Sequence, residues 1–173
     1  MGYPQRTLIR ADIGDFNAAY LLQLKAMAST DMAGARAVFG VALTEGEAVR
    51  GLSVAELQRL APNGMMLFRP KALLQDGGPA VSGNTDLAEL NFAYLLFLQR
   101  IAQSSLADAE MRFGIAVHEA QGITGTPVLA LRAYASRGTM FLEPRSLFRD
   151  LVAGATTSTD RAGAILRVIS GDL

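Results

Sequence analysis

Residues 17–40, NAAYLLQLKAMASTDMAGARAVFG, recur in the chain as residues 91–114, NFAYLLFLQRIAQSSLADAEMRFG. The two stretches align with a shift of 74 positions, and the alignment continues without a gap to Pro70 in the first copy and Pro144 in the second. Of the 54 aligned positions, 20 are identical, among them three glycines and a proline. An Ala- and Leu-rich composition does not produce an ungapped register of this length, so the sequence predicts an internal duplication.

The composition favours packed helices and excludes several kinds of site. Half of the 173 residues are hydrophobic and only 7% are aromatic, a mixture that is typical of helical cores rather than of β-sandwiches. The chain has no cysteine, which excludes disulfides and thiolate metal sites. Its 16 basic and 16 acidic side chains balance. The basic excess of a protein that binds nucleic acid alone is therefore missing, and any DNA binding would draw much of its charge from a partner.

The sequence also bears on the compartment. The first 15 residues lack the apolar core of a secretory signal. The longest purely apolar run, at residues 92–98, falls far short of the roughly 20 residues that are needed to cross a bilayer. We therefore expect a soluble, cytoplasmic protein.

Each copy is predicted to open with a long helix that is apolar over much of its circumference. Asp12 is the expected N-cap of the first helix, and apolar residues recur at helical spacing over residues 13–28. Asp86 takes the same part in the second copy, where Phe92 and Phe97 add apolar area outside the main stripe. A helix of this kind is buried on more than one side, and we expect the second surface to be the other copy's helix. The repeat-interface candidates are Tyr20, Leu21, Leu24, Tyr94, Leu95, Leu98, Leu67 and Phe141.

Short helices are expected to follow the long one in each copy. Asp31 and Ser105 fall where the long helices break, and Gly40 and Gly114 suit left-handed helix C-caps. Further helix starts are predicted by capping boxes at residues 44–47 and 53–56, and by a Thr-Pro pair at residues 126–127 that replaces the second box in the second copy. The helices so begun should carry these side chains inward: Leu57, Leu60, Leu131 and Tyr134.

Each copy is predicted to end in a short strand. The runs at residues 65–70 and 139–144 are apolar, follow a turn and end at proline. Because an isolated strand is not stable, we expect the two runs to pair with each other across a pseudo-twofold axis. Residues 146–153 and 159–170 are predicted to be helices of a tail. The predicted domains are a first repeat at 12–75, a linker at 76–85, a second repeat at 86–144 and a helical tail at 145–173.

The order and spacing of these elements resemble the core of FlhD, the bacterial flagellar transcriptional activator family. The strings DFNAAYLLQL at residues 15–24 and ELNFAYLLFL at residues 89–98 each resemble its opening helix. Residues 33–41 and 107–115 are similar to its second helix. The resemblance covers both copies and, weakly, the tail. It implies an all-α fold, an intertwined tandem repeat with at most a short two-stranded β ribbon.

The resemblance also implies partners. FlhD-like proteins form intertwined homodimers and act with FlhC, which carries a zinc site and much of the DNA contact, to activate flagellar promoters. One chain would here hold both halves of such a dimer, bind an FlhC-like protein and reach DNA through the complex, and two chains could pair as a pseudo-tetramer. No cofactor is implied. The DNA-contact candidates are the tail arginines Arg145, Arg149, Arg161 and Arg167, although an ordinary solvated face explains them equally well.

Two departures from the family bear on this transfer. The family's apolar strand often carries a cysteine that can bridge the subunits, whereas Leu67 and Phe141 occupy the comparable positions here. The family also places its DNA-proximal segment after the core. Only the second copy is followed by such a segment, at residues 145–173, so DNA contact would be one-sided.

Several features that could suggest chemistry are better explained as structural. His118, the only histidine, has no second histidine and no cysteine with which to form a metal site, and it suits a helix cap or a surface position. Glu45 and Glu119 could form a carboxylate pair, but glutamates that stabilise helix N-termini are the simpler explanation. Tyr20 and Tyr94 lie in apolar stripes, which favours buried tyrosines over binding-site hydroxyls. We therefore expect no catalytic, metal or cofactor site.

Two functions from different classes remain. The resemblance favours a FlhD-like transcriptional regulator that is a non-catalytic scaffold in a complex on flagellar promoters. The alternative is a protein-interaction module, or an antagonist of the partner, that keeps the dimer core without contacting DNA.

Overall fold

The computed structural model describes residues 3–62, 64–71, 73, 85–136 and 142–157. Over these residues the fold is all-α with one short ribbon, which confirms the predicted fold class. The first copy forms α1 (Tyr3–Thr30), α2 (Met32–Phe39), α3 (Leu43–Gly51), α4 (Val54–Leu60) and β1 (Phe68–Pro70). The second copy forms α5 (Thr85–Ser104), α6 (Leu106–Phe113), α7 (Val117–Thr124), α8 (Val128–Ser136) and β2 (Leu142–Pro144), and α9 (Ser146–Thr157) follows.

The two copies have the same order of elements, four helices and then a strand. The bounds of α2 and α6 differ by the same 74 positions as the sequence alignment, and so do those of β1 and β2. The starts of α3 and α7, and of α4 and α8, also differ by 74. The local structure therefore follows the alignment element by element.

The predicted starts of the two long helices are wrong. Helix α1 begins at Tyr3, so Asp12 lies inside the helix instead of capping it. The residues between Pro4 and Asp12 include no glycine or further proline, and proline is tolerated in a first turn, so nothing starts the helix afresh at Asp12. Helix α5 begins at Thr85, which places Asp86 in the first turn, where its charge still complements the helix dipole.

The start of α3 also differs from the prediction. The capping box expected at Thr44 does not form, because the helix begins at Leu43. The Glu45 carboxylate instead accepts a hydrogen bond from the backbone N–H of Ala42 at 2.6 Å. Glu119 makes the corresponding bond, at 2.8 Å, at the start of α7. Both glutamates therefore satisfy a backbone donor at a helix N-terminus.

The fourth helix of each copy begins by different chemistry. The predicted capping box of α4 is present, with Ser53 accepting from the Glu56 N–H at 3.2 Å and Glu56 accepting from the Ser53 N–H at 2.7 Å. Helix α8 begins at Val128, one residue after the predicted position. The Thr126 hydroxyl donates to the Gly122 carbonyl at 3.0 Å, so it closes the end of α7.

The second helix of each copy has the caps that the sequence predicts. The side chains of Asp31 and Ser105 accept backbone N–H bonds at the starts of α2 and α6. Gly40 and Gly114 end these helices in the left-handed conformation, with φ of 63° and 68°. A residue with a Cβ is strained at such a φ, which accounts for glycine at both positions.

The chain divides into two compact units. Unit 1 comprises Met1–Phe68 and Pro144–Leu173, and unit 2 comprises Arg69–Glu143. In unit 1, α1 packs against α2, α3 and α4, and α9 packs against α3. Phe68 joins two parts of this core, because its ring centroid lies 5.4 Å from that of Phe39 and 4.9 Å from that of Phe148 on α9. Helix α9 therefore follows the second copy in sequence but completes the core of unit 1.

In unit 2, α5 packs against α6, α7 and α8. The Phe113 ring at the end of α6 lies 5.4 Å from Tyr94 and 5.6 Å from Phe97, both in edge-to-face geometry. The Arg132 guanidinium lies 4.6 Å from the centre of the Phe92 ring. Both phenylalanines that lie outside the apolar stripe of α5 thus have partners within unit 2.

Strands β1 and β2 form a two-stranded sheet, which confirms the predicted pairing. In the first predicted run only the last three residues, Phe68–Pro70, form the strand, whereas Leu142–Pro144 are all that the structure describes of the second run. Both outer residues of each strand are buried, whereas the central residues, Arg69 and Glu143, reach solvent. Helix α9 continues to Thr157, four residues past its predicted end. Residues 76–84 of the predicted linker, the candidate Phe141 and the predicted helix at residues 159–170 lie outside the described residues, and Thr85, the last residue of the predicted linker, begins α5.

The left-handed glycine caps give a first prediction. Gly114→Ala should lower the free energy of unfolding by about 1–2 kcal/mol, because a Cβ opposes the left-handed conformation. Gly122→Ala is the matched control, since its Cβ would meet no atom within 4 Å. The control lies inside α7 and should leave the protein as stable or up to about 1 kcal/mol more stable. Urea unfolding of both variants measures the difference, and equal stabilities would contradict the prediction.

Candidate functional site

The predicted repeat-interface residues that the structure describes are all buried. Tyr20, Leu21 and Leu24 lie in the core of unit 1, with exposures of 3% or less. Leu67, with no exposed area, lies in the same core. In unit 2 the corresponding buried residues are Tyr94, Leu95 and Leu98, each with no exposed area. Their burial agrees with the helical stripes from which they were chosen, and each set belongs to the core of its own unit.

Asn17 is a buried polar residue that the interface prediction missed. Its side chain is fully buried on α1. The amide nitrogen donates to the carbonyls of Pro62 and Met65 at 2.8 and 2.9 Å, and the amide oxygen accepts from the Leu67 N–H at 2.8 Å. One side chain thus satisfies three backbone groups in the segment that leads to β1. Its identity with the equally positioned Asn91 was visible in the alignment, and Asn91 is only 3% exposed.

The side chains at a second pair of equivalent positions, 25 and 99, bind the backbone just after the third helix of each copy. Lys25 donates through Nζ to the Leu52 carbonyl at 2.7 Å. Gln99, 74 positions later, donates through Nε2 to the Thr126 carbonyl, also at 2.7 Å. Two different side chains therefore make the same contact to the same backbone position of each copy.

The two DNA-contact candidates that the structure describes both bind other protein groups. Arg145 is half-buried and donates to the Met66 carbonyl at 3.2 Å. The Arg149 Nε lies 3.6 Å from the carboxylate of Glu45 on α3. Because Glu45 also caps α3, this ion pair links α9 to the start of that helix. The candidates Arg161 and Arg167 lie outside the described residues.

The solvent-facing side of α9 carries little net charge. Phe148, Leu151 and Val152 are buried against unit 1. Arg149, with 58% of its side chain exposed, is followed directly by the exposed Asp150. The exposed side of the described part of the tail therefore carries both a positive and a negative charge and does not form a basic stripe.

The described residues also bear on metal and membrane sites. Residues 3–62, 64–71, 73, 85–136 and 142–157 contain no group of three His, Cys, Asp or Glu side chains that could hold a metal ion. His118 is an exposed residue in the first turn of α7. None of the described helices is both long enough and apolar enough to span a bilayer.

Some large apolar side chains face solvent at the start of the fourth helices. Val128 is 53% exposed and Leu129 is 80% exposed on α8. Their counterparts on α4 are Val54, which is 50% exposed, and the smaller Ala55. Unit 2 therefore presents more apolar surface at this position than unit 1.

Residues 4–76 match the family model of FlhD, the flagellar transcriptional activator. The matched segment takes in almost all of α1 and the whole of α2, α3, α4 and β1. The resemblance to FlhD is thereby confirmed for the first copy. No curated protein and no solved structure matches the chain significantly.

The FlhD-like segment is also where the buried asparagine lies. Asn17→Ala should lower the free energy of unfolding by about 2–3 kcal/mol, because it leaves the buried Leu67 N–H without its acceptor and two carbonyls without a donor. Asp15→Ala is the control, since Asp15 is exposed on the same helix, and it should change stability by no more than about 0.5 kcal/mol. Urea denaturation followed by circular dichroism compares them. A loss for Asn17→Ala no larger than that of the control would show that these bonds contribute nothing.

Proposed function

We propose that this protein is a FlhD-like transcriptional regulator that acts as a non-catalytic scaffold in a complex on promoter DNA. The observation that carries the proposal is the match of residues 4–76 to the family of flagellar transcriptional activators. That segment contains almost all of α1 and the whole of α2, α3, α4 and β1. The match therefore supports a role in the regulation of transcription at the level of the family.

We propose further that the chain contains two FlhD-like halves. The second copy aligns with the matched segment without a gap, and its elements follow in the same order. Equivalent side chains at positions 25 and 99 donate to equivalent carbonyls, and Glu45 and Glu119 make equivalent helix caps. These correspondences support a single-chain pseudo-dimer in place of a homodimer.

The proposed mechanism is binding without chemistry. The pseudo-dimer presents a surface to an FlhC-like partner, which holds DNA and helps to recruit RNA polymerase. The balanced charge of the chain fits a protein that relies on such a partner for phosphate contact. The apolar side chains exposed at the start of α8, Val128 and Leu129, are suited to a protein partner.

One observation favours a second candidate, a protein-interaction module without DNA contact. Arg149 forms an ion pair with Glu45 and lies beside the exposed Asp150. Arg145 is half-buried and donates to a backbone carbonyl. Neither arginine is a free cation on an open basic face. A chain that keeps the FlhD-like core and binds the partner without DNA would act as an antagonist.

Co-expression with an FlhC-type protein from the same organism tests the proposal. The regulator should co-purify as a stable complex, and light scattering should give a mass in which one of these chains replaces two FlhD chains. If the chain never co-elutes with that protein and runs alone at its own mass, the proposed function is wrong even though the fold stands.

Promoter binding by that complex separates the two candidates. The double variant Arg161→Ala/Arg167→Ala should weaken DNA binding and reduce its salt dependence, since each lost phosphate contact lowers the slope of log K against log salt by roughly one. Arg36→Ala/Arg50→Ala is a control of equal charge change at exposed sites of the first copy. Unchanged DNA affinity in the tail variant would favour the interaction module.

A further inference from the structure

The centre of the ribbon holds two oppositely charged residues at equivalent positions of the copies. Arg69 and Glu143 are separated by 74 residues, the shift of the alignment. They lie in unit 2, and Nη2 of Arg69 is 3.1 Å from Oε2 of Glu143. Their neighbours in the strands are buried, so both side chains leave the ribbon on its solvent side. The ribbon therefore places equivalent positions of the two copies in direct contact.

This contact has a consequence for pairing between identical strands. If two β1 strands paired in the way that β1 pairs with β2, Arg69 would meet a second Arg69. Two β2 strands would bring together two Glu143 carboxylates in the same way. Like charges directly opposite each other on paired strands are destabilising, whereas opposite charges are stabilising. Only the unlike pair of strands has complementary charge at its centre.

We propose that the Arg69–Glu143 pair is a specificity determinant that directs β1 to pair with β2 and disfavours ribbons between two equal strands of different chains. The inference rests on the proposed tandem arrangement of two FlhD-like halves. It defines the partner that each strand accepts: β1 accepts a strand with an acid at this position, and β2 accepts a strand with a base. A second copy of this chain is thus a poor partner through like strands.

A second contact of Arg69 fixes which strand carries the base. Its Nη1 donates to the Gly114 carbonyl at 3.2 Å. Gly114 is the left-handed cap of α6, and a cation is favourable at a helix C-terminus. A glutamate at position 69 could not donate this bond. The arginine is therefore held in place by two acceptors of unit 2, which lowers the entropic cost of its ion pair.

The expected discrimination is moderate because the pair is partly solvated. The side chains are 44% and 39% exposed, and one exposed ion pair changes an equilibrium constant by a factor of about 1.5 to 5. Two chains contain two β1–β2 ribbons. Replacing these by one β1–β1 ribbon and one β2–β2 ribbon removes two attractions and creates two repulsions. The combined effect should be about tenfold in the population of like-strand ribbons.

A cysteine trap measures that population in the full chain. The chain contains no cysteine, so Lys71→Cys, at an exposed position directly after β1, reports encounters between two β1 strands as disulfide-linked dimers. The trap is placed in three backgrounds: the natural pair, the exchanged pair R69E/E143R, and the neutral pair R69Q/E143Q. Dimers should form about tenfold faster in the neutral background than in either charged one. About 1 M salt should remove most of the difference, because the Debye length falls to about 3 Å.

A matched control and a thermal measurement complete the test. Ala55→Cys, exposed on α4, should form linked dimers at one rate in all three backgrounds. The single variants R69E and E143R should each lower Tm by about 2–4 °C, and the exchanged pair should regain part of that loss. Equal trapping rates in all three backgrounds, or an exchanged pair as unstable as the sum of the single variants, would overturn the proposal. Because neither readout uses FlhC or DNA, failure here is distinguishable from failure of the proposed regulator.

Discussion

The segment that leads into β1 depends on one buried amide. The residues that the structure describes between the end of α4 and the strand are not helical, so no helix satisfies their polar groups, and an unpaired buried group is costly. Asn17 satisfies three of these groups from the middle of α1. Since this segment leads directly into β1, the amide connects the long helix to the ribbon. A shorter or charged side chain cannot supply both donors and the acceptor.

Several parts of this architecture could be predicted from the sequence because local chemistry determines them. Gly40 and Gly114, and the capping box at Ser53, act within one turn of helix, so their residue types are sufficient signals. The pairing of β1 with β2 was predicted from a physical need for a partner. Asp12 misled the prediction because an acidic residue can occupy a helix interior as well as a cap. The signal against it was the absence of any helix breaker between Pro4 and Asp12.

The interactions that the sequence did not reveal are those between distant segments. Nothing in the residue pattern shows that α9 completes the core of unit 1, because Phe148 and Phe68 come together only in the folded chain. The same holds for Arg149, whose charge suggested DNA contact although its carboxylate partner, Glu45, lies 104 residues earlier. Asn17 was visible only as an identical position. Identity between the copies located it, but its three bonds required the structure.

A chain with two copies can place different side chains where a symmetric homodimer must repeat the same one. At positions 25 and 99 the difference leaves the contact unchanged, since lysine and glutamine both donate to the same carbonyl position. At positions 69 and 143 the difference produces an attraction that a homodimer with either residue would replace by a repulsion. Helix α9 follows the second copy and packs against α3 of unit 1. In the proposed pseudo-dimer, the differences at positions 25 and 99 and at positions 69 and 143 give the two halves distinct surfaces, so a partner protein would meet two unlike halves where a homodimer offers two identical ones.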